Sequence, residues 1–286
     1  MSAFSLFKNE RRARAFWKKM CPTFSRAMPP ASPSKEDLLH YESLFRKIDT
    51  PNETTLILGT TPALRKLAAK YFQKIVVADF SPQMIEATKS LLDEETLKKE
   101  RYCTTNWLNL GRRFNGGTFA LVVGDSTFKQ LDPSLAPQLT ENISSILKTG
   151  GIFTTRIRLH KEYWGNCSVD DIVKQFFVEK RNGRPDANAA FIFRMYDKLA
   201  DKDGRVLVSP SPNALYPAIG FLHPGKQQLV RGIWKAYNPG PICWSHMREE
   251  MFESFVGKKF SILTKKTAND YLDSDAFPVF GLINNK

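Results

Sequence analysis

Two residues that end neighbouring apolar runs are the first candidates for a ligand site. Gly59 closes the run Thr-Thr-Leu-Ile-Leu, and Asp79 closes the run Ile-Val-Val-Ala twenty positions later. This spacing fits one strand–turn–helix–strand unit, which brings both strand ends to the same edge of a parallel sheet. A nucleoside there would meet a backbone glycine and a ribose-binding carboxylate. Because Thr61 and Leu64 replace glycines of the Gly-x-Gly-x-x-Gly dinucleotide fingerprint, we predict a nucleoside site of another kind.

The elements that must position these residues follow from the hydrophobic pattern. Strands are expected at 54–58, 74–79, 101–104, 118–123 and 152–157. Helices are expected between them, from Pro62 to about Phe72, from Pro82 (with Ser81 as N-cap) to about Leu92, and near 133–147, where Gly150-Gly151 ends the helix. This alternation predicts a doubly wound parallel sheet with helices on both faces.

The rest of the chain departs from that alternation. Residues 160–256 contain two amphipathic helices, at 169–181 and 187–200, and then a proline-rich, aromatic-rich passage. Two further strands, at 259–264 and 277–283, follow. Two helices, at 9–20 and 35–48, precede the first strand. We therefore predict three parts: an N-terminal helical lid at 1–50, an α/β core at 51–158 plus 257–286, and a substrate-binding insertion at 159–256.

The order of these features resembles the class I S-adenosylmethionine-dependent methyltransferases. The Gly59 loop is similar to the glycine loop beside the cofactor's methionine moiety, and Asp79 is similar to the ribose-binding acid. The turn Leu-Lys-Thr-Gly-Gly-Ile-Phe at 147–153 looks like the family's Leu-x-Pro-Gly-Gly-x-Phe turn, and the last two strands look like its antiparallel hairpin. The resemblance spans about 40–158 and 257–285. It implies a Rossmann-like, mostly parallel, seven-stranded sheet and S-adenosyl-L-methionine as cofactor.

The resemblance also implies which residues hold the cofactor. Phe80 and Met84 match the adenine-flanking stretch, Asn106-Trp107 the adenine-contacting position, and Gly124-Asp125-Ser126 the catalytic-edge motif. The cofactor-binding residues expected on this basis are Gly59, Thr60, Thr61, Asp79, Phe80, Met84, Asn106, Trp107, Asp125 and Ser126. The chain departs from the family at Ile57, which replaces an acidic residue, and in a loop that keeps one glycine of three.

Candidates for catalysis and acceptor binding follow the fifth predicted strand, near the edge where ligands bind in open α/β sheets. His160, Glu162 and Tyr163 could take a proton from the acceptor, and His160 is the best placed. The predicted catalytic residues are His160, Asp125 and Tyr163. Because Arg156 and Arg158 alternate on the strand, one could face the cleft and hold an anion. The predicted substrate-binding residues are Arg156, Arg158 and Trp164, and Trp17 and Tyr41 are expected to close the cofactor pocket as a lid.

The favoured function is in-line methyl transfer to a small organic molecule, since the aromatic-rich insertion can enclose one and no Asn/Asp-Pro-Pro-Tyr motif is present. Three alternatives stay open. The degenerate glycine loop keeps open aminocarboxypropyl transfer, or cyclisation of the cofactor's chain with release of methylthioadenosine. The net charge of +13 keeps open an RNA methyltransferase. The weakened loop also keeps open a non-catalytic binding module.

The composition of the chain limits its expected cellular location and the partners that it could bind. The chain has 286 residues, of which 42% are hydrophobic, and no apolar stretch of the ~20 residues that span a bilayer. The first twenty residues lack the apolar core of a secretory signal. The four cysteines are scattered, without metal-ligand spacing. We therefore expect a cytoplasmic enzyme with reduced thiols, a small substrate that could be anionic, and no metal or membrane partner.

Overall fold

A seven-stranded, mostly parallel sheet organises the protein, whose structure is a computed structural model that describes residues 15, 28–48, 51–208, 224–237 and 242–286. The strands of this sheet are β1 (Thr54–Leu58), β2 (Lys74–Asp79), β3 (Glu100–Thr104), β4 (Phe119–Asp125), β5 (Leu147–Arg156), β8 (Phe260–Lys266) and β9 (Val279–Asn284). They lie in the order β3-β2-β1-β4-β5-β9-β8. Strands β1 to β5 pair in parallel, and β9 runs antiparallel to β5 and β8. The predicted fold class is confirmed.

Helices precede and connect the parallel strands. They are α1 (Lys35–Phe45), α2 (Pro62–Tyr71), α3 (Pro82–Lys89), α4 (Glu94–Lys98), α5 (Leu110–Arg113) and α6 (Ala136–Ile146), with short 3-10 turns at Trp107–Asn109, Phe128–Gln130 and Pro133–Leu135. Helix α3 starts as its sequence predicts, because the Ser81 hydroxyl accepts a hydrogen bond from the Met84 N–H and Pro82 occupies the first helical position. The predicted helix at 9–20, with Trp17, lies outside the described residues apart from Ala15.

Both faces of the sheet are buried, which explains the continuous apolar runs of its central strands. Leu56 and Leu58 of β1 belong to the hydrophobic cluster on one face, together with Phe128. Ile57 belongs to the cluster on the other face, together with Tyr41 of α1. The carboxyl ends of β1, β2, β4 and β5 therefore meet at one edge of a rigid, close-packed layer.

The strand β5 begins earlier than its sequence predicts. It pairs with β4 from Leu147, and the register then shifts, so that Phe119 faces Leu147 whereas Leu121 faces Ile152. Gly150 lies within this irregular stretch at a φ of +71°, a conformation that favours glycine. The sequence prediction of a strand from Ile152 therefore corresponds to the part of β5 that pairs regularly.

The segment between β5 and β8 contains more regular structure than the sequence suggests. Its elements are α7 (Glu162–Asn166), α8 (Val169–Arg181), α9 (Ala187–Leu199), β6 (Arg205–Val208), α10 (Pro224–Tyr237), β7 (Ile242–Ser245) and α11 (Glu249–Val256). Helices α8 and α9 are the two predicted amphipathic helices. Strands β6 and β7, which were not predicted, form a separate antiparallel pair. Within the described residues, no helix combines the length and the apolar character that crossing a membrane needs.

The insertion and the sheet interlock through their side chains. Phe252 and Phe255 of α11 pack in the same cluster as the sheet residues, although the predicted boundary assigns them to the insertion. Conversely, Tyr271 and Phe277, from the connection between β8 and β9, pack in the cluster that contains Phe193 of α9. The division into three domains stays a prediction.

Tyr41 closes the sheet edge between β4 and β5. Its side chain is fully buried, and its hydroxyl donates to the Gly124 carbonyl and accepts from the Arg156 N–H, each at 2.7 Å. Burial raises the pKa of this hydroxyl well above its ordinary value, so it stays protonated and can donate. The hydroxyl therefore satisfies two buried backbone groups at the functional edge.

We expect Tyr41→Phe to lower the free energy of unfolding by about 1–3 kcal/mol, because both backbone groups lose a partner without gaining water. Urea denaturation measures this change. Tyr163→Phe is the control, since Tyr163 is 70% exposed and its replacement should cost less than about 0.5 kcal/mol. Equal effects of the two substitutions would contradict the role assigned to the Tyr41 hydroxyl.

Candidate functional site

The loop after β1 converges with the ends of β2 and β3. Gly59 has a φ of +87°, and its N–H donates to the Ala78 carbonyl at 2.9 Å. A Cβ added to Gly59 would lie 3.6 Å from Cζ2 of Trp107 and 4.0 Å from Oδ2 of Asp79. The predicted glycine, carboxylate and indole therefore surround one small volume at the carboxyl edge of the sheet.

Asp79 is held rigidly at this point. Its Oδ1 accepts a hydrogen bond of 2.7 Å from the Ser81 N–H, and its side chain is buried. This bond fixes the carboxylate at the start of α3 and leaves Oδ2 turned towards Gly59. Phe80 is partly buried beside it, and Met84, on the first turn of α3, is buried. A carboxylate at this position of the sheet edge is of the kind that accepts hydrogen bonds from a pair of ribose hydroxyls.

Trp107 and Asn106 are positioned by the turn that follows β3. The indole N–H donates to the Ala78 carbonyl at 2.9 Å, and the ring packs in the hydrophobic cluster beneath the edge. The Asn106 side chain caps the 3-10 turn by accepting from the Leu108 N–H at 3.0 Å. On the β1 side, Thr60 is buried and Thr61 precedes α2 without a side-chain cap bond. The indole thus forms a floor between β1 and β2.

The ends of β4 and β5 carry a buried ion-pair group centred on Arg156. Its guanidinium donates to Asp125 at 2.8 and 3.3 Å, to Asp37 at 2.9 Å, to the Pro30 carbonyl at 2.9 Å and to the Tyr271 hydroxyl at 3.5 Å. All five N–H donors of an arginine are therefore occupied. This geometry gives Arg156 and Asp125 a structural role, whereas their predicted contacts with ligands stay predictions.

Ser126 follows with a φ of +54°, an uncommon conformation for a residue other than glycine. Its N–H donates to the Arg156 carbonyl at 2.9 Å, which holds the strained turn in place. The chain therefore leaves the sheet sharply after β4, and the following residues lie over the edge. Local strain of this kind is found at functional sites.

A second buried group lies beyond β5, where Arg158, Asp197 and His246 meet. Arg158 donates to Asp197, and Nδ1 of His246 lies 2.9 Å from Asp197 Oδ1. Burial lowers the pKa of His246 to about 3, so the imidazole is neutral at neutral pH. Despite its burial, Asp197 has a pKa well below its ordinary value, because Arg158, His160 and His246 stabilise the carboxylate.

His160 borders this group at the wall of a polar pocket. Its Nδ1 lies 3.6 Å from Asp197 Oδ1, and its side chain is 14% exposed. The pocket has a volume of ≈ 210 Å³ and is lined by His160, Gly165, Asn166, Asp197, Lys198, Ala200, Asp201, Lys202, Gly204, His246 and Arg248. Tyr163 is largely exposed, and the Trp164 ring lies 4.1 Å from the Arg194 guanidinium. The three residues are therefore close in sequence but occupy different environments.

Lys129 is a residue that the sequence prediction missed. It lies in the 3-10 turn Phe128–Gln130, just beyond β4, and its Nζ is 4.1 Å from the ring centroids of both Phe193 and Trp244. Its position four residues after Asp125, close to the end of β4, is the signal that the sequence offers. The two rings come from α9 and β7, which the sequence did not place near β4.

Residues 56–151 match the family model described as a methyltransferase domain. The match covers β1 to the start of β5, including the Gly59 loop, Asp79 and the Asp125 edge described above. The chain therefore contains a stretch similar to the methyltransferase domain family, at the position where its sequence resembles the class I S-adenosylmethionine-dependent methyltransferases. It is an enzyme, and its cofactor is S-adenosylmethionine. No curated protein sequence matches this methyltransferase.

Solved structures share the fold of the methyltransferase at low sequence identity. A Rhodobacter sphaeroides protein described as a zinc-dependent alcohol dehydrogenase has a TM-score of 0.62 at 13% identity, with 96% of this chain and 98% of that chain covered. A Methanosarcina mazei protein described as an S-adenosylmethionine-dependent methyltransferase has a TM-score of 0.52 at 11% identity, with coverage of 84% and 94%. A chain of the complex between the Haloferax volcanii Trm112 methyltransferase activator and a methyltransferase has a TM-score of 0.53 at 11% identity, with coverage of 94% and 95%.

These likenesses show the fold alone. In the described part of the methyltransferase, no group of three or more His, Cys, Asp or Glu side chains could hold a metal ion.

The buried His246 makes the stability of the methyltransferase depend on pH. The unfolded chain binds a proton on this imidazole below about pH 6.5, whereas the folded protein does so only near pH 3. The stabilisation is therefore complete above pH 6.5 and is lost as the pH falls through this window, with a slope of up to about 1.4 kcal/mol per pH unit.

We expect His246→Asn to flatten this dependence, because the amide can still donate to Asp197 but cannot be protonated. Urea denaturation of both proteins at intervals between pH 7 and pH 5 gives the two curves. Their difference isolates His246, since other titrating groups contribute to both. Parallel curves would show that His246 does not titrate in this range.

Proposed function

We propose that the methyltransferase methylates a small organic molecule by in-line transfer. The observation that carries this proposal is the convergence of Gly59, Asp79 and Trp107 at the carboxyl edge of the sheet. The absence of a Cβ at Gly59 leaves room beside a carboxylate oxygen and an aromatic floor, which fits the sugar and methionine parts of the cofactor. The cytoplasmic location predicted from composition is kept as part of this proposal.

The proposed roles of the cofactor-binding residues follow their positions. Backbone groups of Gly59, Thr60 and Thr61 would contact the methionine end, because they form the turn between β1 and α2. Asp79 would bind the ribose through Oδ2. Adenine would lie on the side of β2 and β3, beside the residues Phe80, Met84, Asn106 and Trp107. Asp125 and Ser126 would border the reacting end.

The protein's part in the reaction is mainly alignment and exclusion of water. S-adenosylmethionine, when bound, supplies a methyl group on a positively charged sulfur. Holding the acceptor in line with that group can contribute as much as ~7–11 kcal/mol to lowering the barrier. The buried aromatic cluster of the insertion supports this role, since Phe193, Tyr196 and Phe277 pack edge to face into a rigid wall.

The acceptor is proposed to lie between this wall and the ends of β4 and β5. The residues proposed for acceptor binding are Arg156, Arg158 and Trp164, and those proposed for acid–base chemistry are His160, Asp125 and Tyr163. The buried positive charges of Arg156 and Arg158 support an acceptor that is anionic or becomes so during the reaction. Direct contact with Arg156 would require it to exchange one of its present hydrogen bonds.

Calorimetric titration with S-adenosylhomocysteine tests the proposed site through Asp79→Asn. We expect affinity to fall about 10- to 100-fold, because the amide keeps the cap on Ser81 but loses the charge that strengthens bonds to ribose. Asp93→Asn is the matched control, since Asp93 caps α4 through a 2.7 Å bond from the Thr96 N–H away from the edge. Unchanged binding by Asp79→Asn would contradict the ribose role.

A second test separates backbone strain from ligand contact at Gly59. Gly59→Ala and Gly117→Ala each place a side chain at a positive φ, +87° and +70°, and each should cost about 1–2 kcal/mol of stability. Gly117 has no atom within 4 Å of the added Cβ and lies away from the edge. We expect only Gly59→Ala to weaken S-adenosylhomocysteine binding, by at least about tenfold. Equal affinities of the two variants would place the ligand elsewhere.

The products of turnover distinguish methylation from the other reactions of the cofactor. S-adenosylhomocysteine is expected if the methyl group is transferred, whereas methylthioadenosine would indicate aminocarboxypropyl transfer or cyclisation. Chromatography of the nucleoside products after incubation with S-adenosylmethionine and a set of small acceptors makes the distinction. Accumulation of methylthioadenosine would overturn the proposed methyl transfer and leave the cofactor site intact.

A further inference from the structure

Lys129 places an amine on the reacting edge of the sheet without a counter-ion. Among the described residues, no carboxylate or hydrogen-bond acceptor contacts its Nζ. The amine instead lies 4.1 Å from the ring centroids of Phe193 and Trp244, which we call the aromatic clamp. An exposed lysine normally keeps its amine in water, so this position needs another explanation.

The aromatic clamp is fixed by its own packing. Phe193 stacks on His246 with ring centroids 6.0 Å apart and meets Phe277 edge to face at 5.1 Å. Trp244 meets Tyr196 at 5.3 Å with the ring planes perpendicular. These contacts hold both rings in place, and the Lys129 amine lies between them.

The charged groups around the amine favour its neutral form. Burial, and then the positive charges of Arg158 and Arg156, lower the pKa of Lys129 well below its ordinary value, although the Asp125 carboxylate opposes this shift. His246, the nearby titratable group on the β7 side, is neutral at neutral pH. A neutral amine is a proton acceptor, whereas the ordinary lysine cation is not.

We propose that Lys129 is the general base of the methyltransferase and that the acceptor is a phenol. The inference rests on the proposed function, since it places the phenol between the aromatic clamp and the end of β4. The phenol proton passes to the Lys129 amine, the oxygen lone pair forms the new bond to the methyl carbon, and the electron pair of the broken C–S bond stays on sulfur. The ammonium then releases its proton to solvent.

The phenol class follows from matching acidities. A phenol resembles the tyrosine side chain, whose pKa is about 10, so an amine can remove its proton. An alkanol resembles water, whose pKa is about 16, and an amine is too weak a base to remove its proton. Arg156 and Arg158 would stabilise the phenolate as it forms, and the aromatic walls suit a ring. His160 is the competing candidate, but its Nδ1 faces Asp197 in the polar pocket beyond α9.

The ionisation of Lys129 can be measured without an acceptor. Competitive acetylation with acetic anhydride across pH 5 to 11, followed by mass spectrometry of each lysine peptide, gives a midpoint for each amine. Lys89 is the internal control, because its Nζ also lies over a ring, 4.4 Å from Tyr102, but is paired with Glu86. We expect the Lys129 midpoint to lie at least one pH unit below that of Lys89. Coinciding midpoints would overturn the proposal.

Two substitutions separate proton transfer from charge. Lys129→Met removes the amine, and Lys129→Arg keeps a cation that cannot act as a base. Turnover is measured as S-adenosylhomocysteine formed with 4-methylphenol, which is un-ionised at neutral pH, and with 4-nitrophenol, which is largely ionised. We expect both variants to lose about 10²- to 10⁴-fold in kcat with 4-methylphenol and less than tenfold with 4-nitrophenol.

Each remaining outcome has a definite meaning. If the kcat of Lys129→Arg with 4-methylphenol stays within tenfold of the wild-type value, Lys129 acts as a cation that binds the substrate. This result would overturn its role as base. Loss of the acidic limb of the pH profile in His160→Gln, with the limb intact in Lys129→Met, would assign the proton transfer to His160. Turnover of neither phenol by wild type would overturn the acceptor class. Calorimetry with S-adenosylhomocysteine reports on the proposed function separately, and Lys89→Met, which leaves the edge intact, should match wild type throughout.

Discussion

The functional edge depends on one buried guanidinium, that of Arg156. It joins Asp125 at the end of β4, Asp37 on α1 and the hydroxyl of Tyr271 before β9. A buried ion pair of this kind adds little net stability when complete, but the loss of one partner leaves an uncompensated charge in the interior. The structure therefore requires all the segments to be in place together, and the edge forms only when the sheet, α1 and the last strand connection have assembled.

Arg158, two residues further along the chain, also forms a buried ion pair. Its partner Asp197 comes from α9 and is shared with His246 after β7, so the second ion pair holds the insertion to the sheet. Phe277 links the two groups, because its ring lies 5.5 Å from the Arg156 guanidinium and 5.1 Å from that of Arg158. Within these two groups the cations have carboxylate partners, whereas the contacts of the Lys129 amine with described residues are to the rings of Phe193 and Trp244.

The sequence predicted the parts of this architecture that local rules determine. Gly59 and Asp79 could be placed at one edge because parallel strands buried on both faces appear as apolar runs that stop at the edge. Ser81 and Pro82 fixed the start of α3 through capping chemistry that needs only neighbouring residues. The paired strands β6 and β7 escaped prediction because each has four residues and their pairing spans a long stretch of chain.

The roles of Arg156 and Lys129 could not be predicted for a related reason. On the sequence, Arg156 is a basic residue near a strand end, which is consistent with holding an anionic substrate. Its actual partners lie 119, 31 and 115 positions away. Lys129 looks like a solvated lysine after a turn, and only the packing of Phe193 and Trp244 against it removes that environment. Electrostatic roles depend on contacts between distant segments, which periodicity does not encode.

In this arrangement the insertion has two proposed roles, because it encloses the acceptor and also changes the protonation of Lys129. The lysine and the two arginines come from the ends of β4 and β5 and the segments that follow them, but the aromatic clamp that desolvates the lysine comes from α9 and β7. The amine is a strong base in water and is almost fully protonated there, whereas the insertion makes the neutral form accessible. The insertion is itself held by the Arg158–Asp197 pair. In the proposed arrangement, closure of the substrate site and activation of the base are therefore one structural event. A chain whose insertion is undocked would keep the proposed cofactor site at Gly59 and Asp79 but could not accept the proton.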